Sequence, residues 1–272
     1  MSDFNERPIG AFDSGVGGLT VVRAIRELLP AEDIFYLGDT ARVPYGNKSP
    51  ETIIRYSREI MNFLRAREVK AVVVACNTAS AHALTMLQKE AEVPVIGVIA
   101  PGVEAALAAT RNQRIGIIGT QGTIQSEAYQ NLLRERQPDT VIIAVAAPLL
   151  VSLVEEDWLS HKATQLILEE YLAPIQEAGV DTVVLACTHY PLLKPLAQRI
   201  LGPKVVLVDS AQNAAATLAR RLAKDHIGRV AASPDYAGQI TICATDLPTQ
   251  FSRLAERFLG EKIKAIEQVA VG

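Results

Sequence analysis

The sequence predicts an α/β protein of two similar three-layer units, each a mostly parallel sheet covered by helices. Three observations carry that expectation. Short runs rich in Val, Ile and Leu alternate along the chain with longer stretches of helical periodicity, and the runs are continuously apolar, as strands covered on both faces must be. About half of the 272 residues (49%) are hydrophobic, enough for one large core or two smaller ones. One stretch also answers another: "VVVACNTAS" from Val72 is echoed by "VVLACTHYP" from Val183. Each is a β run, Ala, Cys, two polar residues and the start of a helix.

In chain order, "IGAF" (Ile9–Phe12) reads as a strand, followed by a glycine-rich turn and the helical "LTVVRAIRELLP". "DIFYL" (Asp33–Leu37) is the next strand, and a long loop leads to a helix from about Glu51 to Ala66. Ser49 before Pro50 supplies that helix with an N-cap and a proline at its first position. "AVVVA" (Ala71–Ala75) and "VPVIGV" (Val93–Val98) flank a helix that starts after Cys76. The second half repeats the rhythm with "RIGIIG", "TVIIAV", "TVVLA" and "KVVLVD". "FDSGVGGLT" and "IGTQGTIQS" form a second, weaker pair of strand-turn-helix entries. After about Ser210 the chain carries more helix and a last strand or two, and periodicity does not decide which unit they join.

Composition narrows the function classes. The formal charge of −3 and the lack of a lysine–arginine tract give no support to a nucleic-acid or membrane-surface role. The start, "MSDFNERPIG", has no basic region followed by an apolar core, and no apolar run approaches a membrane span. Three widely separated cysteines do not make a disulfide framework. These features predict a soluble protein of a reducing compartment, the cytoplasm.

The paired cysteines are the strongest chemical signal. A single strand-end Cys is more often packing than chemistry, and a duplication could have copied a packing thiol. Two of them at matching places, followed by Asn77–Thr78 and Thr188–His189, favour reactive groups. Zinc is disfavoured because neither cysteine belongs to a C-x-x-C pair and the four histidines show no ligand spacing. A Cys–His hydrolase with His189 as base would leave the second thiol unexplained. Two opposed thiols suit a two-base reaction, one removing a proton from a stereocentre and the other returning one to the opposite face. Asp13 would then serve Cys76, and His189 would serve Cys187.

Two loops keep other readings open. "DSGVGGLT" follows a strand and opens a helix, but Thr20 stands where the dinucleotide fingerprint needs its third glycine. Asp39 lies at about the spacing of a ribose contact, so a nucleotide-binding α/β enzyme remains an alternative, beside a non-catalytic amino-acid-binding protein. "GDTARVPYGNKSP" is too rich in turn formers for a strand, and Tyr45 and Gly46 could cover a ligand with a ring and a backbone amide.

Taken together, "DSGVGGLTV", "LGDTARVPYG", "ACNTASA", "GVIAPG", "IGTQGT" and "CTHYP" resemble the motifs of glutamate racemases, in their order and over nearly the whole chain. "CNTA" alone is shared with aspartate racemases, which leaves an aspartate-type or other amino-acid racemase as the alternative; the histidine of "CTHYP" points to glutamate. The resemblance implies cofactor-independent, metal-free interconversion of L- and D-glutamate, supplying D-glutamate for the bacterial cell wall. It makes Cys76 and Cys187 the catalytic thiols, acting on the D- and L-glutamate sides respectively. Asp13 and His189 match their assistants. Glu155 matches a further acid near Cys187, with Glu156 beside it as the competing assignment. Ser14, Tyr45, Gly46, Asn77, Thr78, Thr120, Thr123 and Thr188 match positions that hold substrate, together with Asp13 and His189. It further implies two α/β domains, residues 1–98 with 209–272 and residues 99–208, with the site in the cleft between them, and a homodimer. One departure stands out: Ala147 occupies a position where the family often carries a further cysteine. Cys243, in the apolar run "ITICA", reads as packing.

Overall fold

A computed structural model describes residues 4–230, 236–247, 249 and 251–272. The chain divides into two compact units, Met1–Val98 with Ala211–Gly272, and Ile99–Ser210. Among the described residues no helix is long and apolar enough to cross a membrane.

In the first unit β1 (Ile9–Asp13) passes through the glycine-rich turn into α1 (Leu19–Leu28). Then follow β2 (Ile34–Gly38), α2 (Pro50–Arg65), β3 (Ala71–Val74), α3 (Asn77–Glu90) and β4 (Val95–Gly97). Every residue of β1, β2 and β3 is buried, which is why these strands read as unbroken apolar runs. Helix α2 starts where its cap predicts: the Ser49 hydroxyl accepts the Thr52 amide at 3.3 Å, with Pro50 next in line. Such a cap stabilises a helix by about 1 kcal/mol. Ile53, Ser57, Ile60, Met61 and Leu64 form its buried stripe. Its apolar members pack with Phe12, Phe35, Leu37, Val72 and Val74 in one core cluster. The alternate strand residues, Ala11, Tyr36 and Val73, are also fully buried and point the other way.

The second unit runs α4 (Ile99–Ala109), β5 (Arg114–Gly119), α5 (Gln121–Gln125), α6 (Ala128–Arg136), β6 (Val141–Ala146), α7 (Leu149–Glu155), α8 (Lys162–Glu177), β7 (Thr182–Ala186), α9 (Lys194–Leu201) and β8 (Val206–Val208). Its sheet has four parallel strands in the order β6-β5-β7-β8. β6 is an edge strand and only half covered, although its run is as apolar as the others. Hydrophobicity alone does not tell an edge from a centre.

The chain then returns to the first unit with α10 (Ala211–Lys224), β9 (Ile240–Ala244), α11 (Phe251–Leu259) and β10 (Ile266–Gln268). Helices α10 and α11 pack on α1, and the two strands extend the first sheet to six, ordered β10-β9-β2-β1-β3-β4 and all parallel. Non-local strand pairing placed this tail, so periodicity had no access to it.

The two sheets repeat one topology. β2-β1-β3-β4 and β6-β5-β7-β8 are the same order, with the first strand of each set lying between the second and third. The chain leaves β1 and β3 in opposite directions, and likewise β5 and β7. In open α/β sheets ligands bind at such a switch point, beyond the carboxyl ends of the strands. Asp13 and Cys76 stand at the first switch, Thr120 and Cys187 at the second.

Candidate active site

The register Phe12↔Val74 brings the ends of β1 and β3 level, so that Asp13 and Cys76 emerge side by side. Cys76 is the N-cap of α3, and its Sγ accepts the Ala79 amide at 3.5 Å. The thiol also faces the Ser14 hydroxyl, 3.9 Å away. Asp13 is held from both sides. Its Oδ1 accepts the Ser14 amide at 2.7 Å, and its Oδ2 accepts the Gly18 amide at the start of α1. Gly18 must be glycine, since a Cβ there would lie 2.6 Å from that of Asp13. Burial first, and the Asp13 carboxylate second, push the Cys76 thiol well above its ordinary value, against the pull of the Ala79 and Ser14 amides. Asn77 and Thr78 are buried beside it in the first turn of α3.

Tyr45 and Gly46 belong to a short 3-10 turn, Tyr45–Asn47, that contacts α3. The Tyr45 ring packs on Tyr56 at 5.8 Å and its hydroxyl donates to Asp39, so the side chain is committed to the protein. Beside it the turn presents the half-buried Gly46 backbone. The expectation of a ribose contact at Asp39 is corrected. Asp39 is fully buried and accepts from Tyr45, from Arg42 Nε at 2.7 Å and from Thr245 Oγ1 at 2.9 Å. Its acceptor capacity is spent within the protein, and it does not face a ribose.

The second unit builds a counterpart with different chemistry. β5 and β7 end level at Gly119 and Ala186. Thr120 caps α5: its Oγ1 accepts the Thr123 amide at 3.3 Å and meets the Thr123 hydroxyl at 3.0 Å. Cys187 does not open an α-helix as its echo does. Its carbonyl accepts the Tyr190 amide, and Tyr190–Leu193 is a 3-10 turn carrying Pro191. His189 Nδ1 lies 4.0 Å from Cys187 Sγ and 3.5 Å from Thr188 Oγ1, while its Nε2 meets Glu155 Oε1 at 3.0 Å. Glu155 is the acid in reach; Glu156, the residue after α7, is exposed. Burial alone would lower the imidazole, but the bonds to Cys187 and Glu155 and their charges outweigh it, and His189 is raised to about 10. At neutral pH it is an imidazolium.

Sequence reading missed the buried tyrosines behind both thiols. Tyr36, from the middle of β2, is pushed up by burial and then by the charges of Asp13 and Cys76. Tyr190 and Tyr129 stand in the same relation to Cys187. Tyr36 lies in an apolar run that looks like packing, and only the sheet register shows what it faces; Tyr129 is carried by α6 and Tyr190 by the 3-10 turn after Cys187. Cys243 is fully buried in β9 with Sγ 3.8 Å from Glu267, and burial followed by that carboxylate raises it to about 11. Among the described residues no group of three or more His, Cys, Asp or Glu could hold a metal ion.

The model of the Asp/Glu/hydantoin racemase family matches residues 16–219. A glutamate racemase of Neisseria meningitidis serogroup A is 50% identical over 269 residues, covering 98% of each chain. A glutamate racemase isoform from Bacillus anthracis superposes with a TM-score of 0.91 at 38% identity, over 98% of both chains. The glutamate racemase of Francisella tularensis, solved in complex with D-glutamate, gives 0.90 at 35% identity over the same 98% of each.

Proposed function

Because the chain belongs to the Asp/Glu/hydantoin racemase family, we propose that it interconverts L- and D-glutamate without a cofactor, using one thiol from each unit. It is an isomerase. One observation carries the mechanism: two buried strand-end thiols, each with its own titratable partner. Cys76 as thiolate takes the α-proton from one face, its own proton having passed to Asp13. Cys187 as thiol donates to the other face, and His189, held by Glu155, restores that proton. The reverse turnover runs the same steps backwards, so each thiol alternates between acid and base.

The difficult step is the charge that develops when a weakly acidic α-proton leaves. Asn77 and Thr78 beside Cys76, and Thr120, Thr123 and Thr188 beside Cys187, offer hydroxyl and amide donors for the substrate carboxylates. Ser14 and the Gly46 backbone add to the set. Such donors act through preorganisation in a dry site. The same family membership supports a cytoplasmic homodimer that supplies D-glutamate for peptidoglycan.

The test is circular dichroism of L-glutamate mixed with the purified protein and no added cofactor, in D2O. The ellipticity should decay to zero while product gains deuterium at Cα. An unchanged signal, or D-glutamate formed without deuterium, would overturn the reading.

A further inference from the structure

We propose that Tyr36 is a positioning residue for the Cys76 half-reaction: its hydroxyl fixes the turn that aims Asp13 at Cys76. The inference rests on the racemase reading above and assigns a role to a residue that reading does not use.

Tyr36 and Gly38 are i and i+2 on β2, so both project from the same face of the sheet. The register Ala11↔Tyr36 and Asp13↔Gly38 puts them alongside the end of β1, where the chain breaks into the glycine turn. The fully buried Tyr36 hydroxyl donates to the Gly15 carbonyl at 2.8 Å. Gly38 receives the same carbonyl from the other side: a Cβ on Gly38 would stand 2.3 Å from the Gly15 oxygen. The Gly15 peptide is therefore seated by a donor and a bare backbone, two residues apart on one strand.

That seat decides where Asp13 points. Gly15 lies within the loop whose first amide, at Ser14, and last amide, at Gly18, grip the two Asp13 oxygens. The Tyr36 oxygen also stands 3.0 Å from the place a Gly18 Cβ would occupy, so the phenol touches both ends of the loop. Without the hydroxyl, the Gly15 carbonyl is a buried acceptor with no donor, and the loop must move to find one. A shift of about 1 Å in a group that passes a proton costs up to roughly 10²-fold in rate. Tyr36 keeps its proton, because burial first and then the Asp13 carboxylate oppose its ionisation. It is a fixed donor and takes no part in proton relay.

The half-reactions separate this role from general damage. An enantiomer of 3-chloroglutamate needs only one base: the thiolate takes the α-proton, the C–Cl bond breaks, and chloride leaves with its electron pair. The enantiomer served by Cys76 is the one that still releases chloride in Cys187→Ala. Tyr36→Phe should slow that release about 10- to 100-fold, and leave release from the other enantiomer within about twofold of wild type. Gly38→Ala, which pushes the same carbonyl away, should give the same one-sided loss. The pH profile of Cys76 alkylation should move in both variants while that of Cys187 stays. Equal loss for both enantiomers, or no loss, with an unmoved Cys76 profile would overturn the inference. A wild-type protein that neither racemises glutamate nor releases chloride overturns the racemase reading itself. The alkylation profile is read independently of turnover and still judges the Tyr36 contact in that event.

Discussion

Cys76 and Cys187 leave the same kind of strand at the same switch point of the same 2-1-3-4 topology, yet their surroundings carry opposite charge. Cys76 heads the 14-residue α3, accepts an amide from it and stands beside the Asp13 carboxylate. Cys187 precedes a 3-10 turn of four residues that is headed by His189, and it stands beside that imidazolium, which Glu155 holds in place. Duplicated scaffolds fix where a group sits, and the residues next to it fix which proton state is favoured. The first unit opposes a charge on its thiol and offers a base for the proton. The second offers a proton donor. A reaction that takes a proton from one face and returns one to the other needs that difference.

The largest effect comes from removing the thiols themselves. Cys76→Ala and Cys187→Ala should each lower racemisation by roughly 10³-fold or more, since each deletes one of the two proton carriers that the proposed mechanism requires. Residual activity near wild type in either variant, measured by polarimetry, would break the symmetry between the units. Cys243→Ala is the control and should retain full activity, because that thiol belongs to the core cluster and its polar contact is with Glu267.

A smaller effect, of opposite sign in the two units, tests the charges. Asp13→Asn removes the anion facing Cys76 and should speed its alkylation by iodoacetamide several-fold at pH 8. His189→Gln withdraws the cation facing Cys187 and should slow alkylation there by a similar factor. Both should lower turnover by about 10²-fold. Peptide mapping by mass spectrometry assigns each rate to its cysteine; changes of the same sign at both sites would refute the comparison.

The gentlest probe is stability against pH. His189 binds its proton more tightly folded, at about 10, than at its ordinary 6.5. Its contribution is therefore complete below pH 6.5 and is lost as pH rises from there through about 10. Urea midpoints of wild type should fall across that window, and His189→Gln should show a flatter profile. Asp13→Asn, which keeps His189, should show the same fall as wild type.

Much of this was legible without coordinates, for a physical reason that differs by element. β1, β3, β5 and β7 are buried on both faces, so their apolar runs mark them directly. Ser49–Pro50 fixed the start of α2 because capping is a local hydrogen bond. The repeat of Ala-Cys-polar-polar exposed the paired thiols, since both sit on the same turn of a repeated topology. The charges around them were less visible. Asp13 was identified, but its grip by Ser14 and Gly18 depends on the turn's path. Tyr45 was singled out from its loop, but the bond of its hydroxyl to Asp39 is set by how the loop folds back. The choice between Glu155 and Glu156 turned on helix phase at the end of α7.

By itself the sequence determined the alternation of strands and helices, the doubling of the unit and the two thiols, because these are encoded in local pattern and repetition. Tertiary structure alone decided that β9 and β10 pair into the first sheet, that His189 meets Glu155, and that Tyr36 holds the Gly15 carbonyl. Those choices rest on strand register and on contacts between residues far apart in the chain. No local propensity records them.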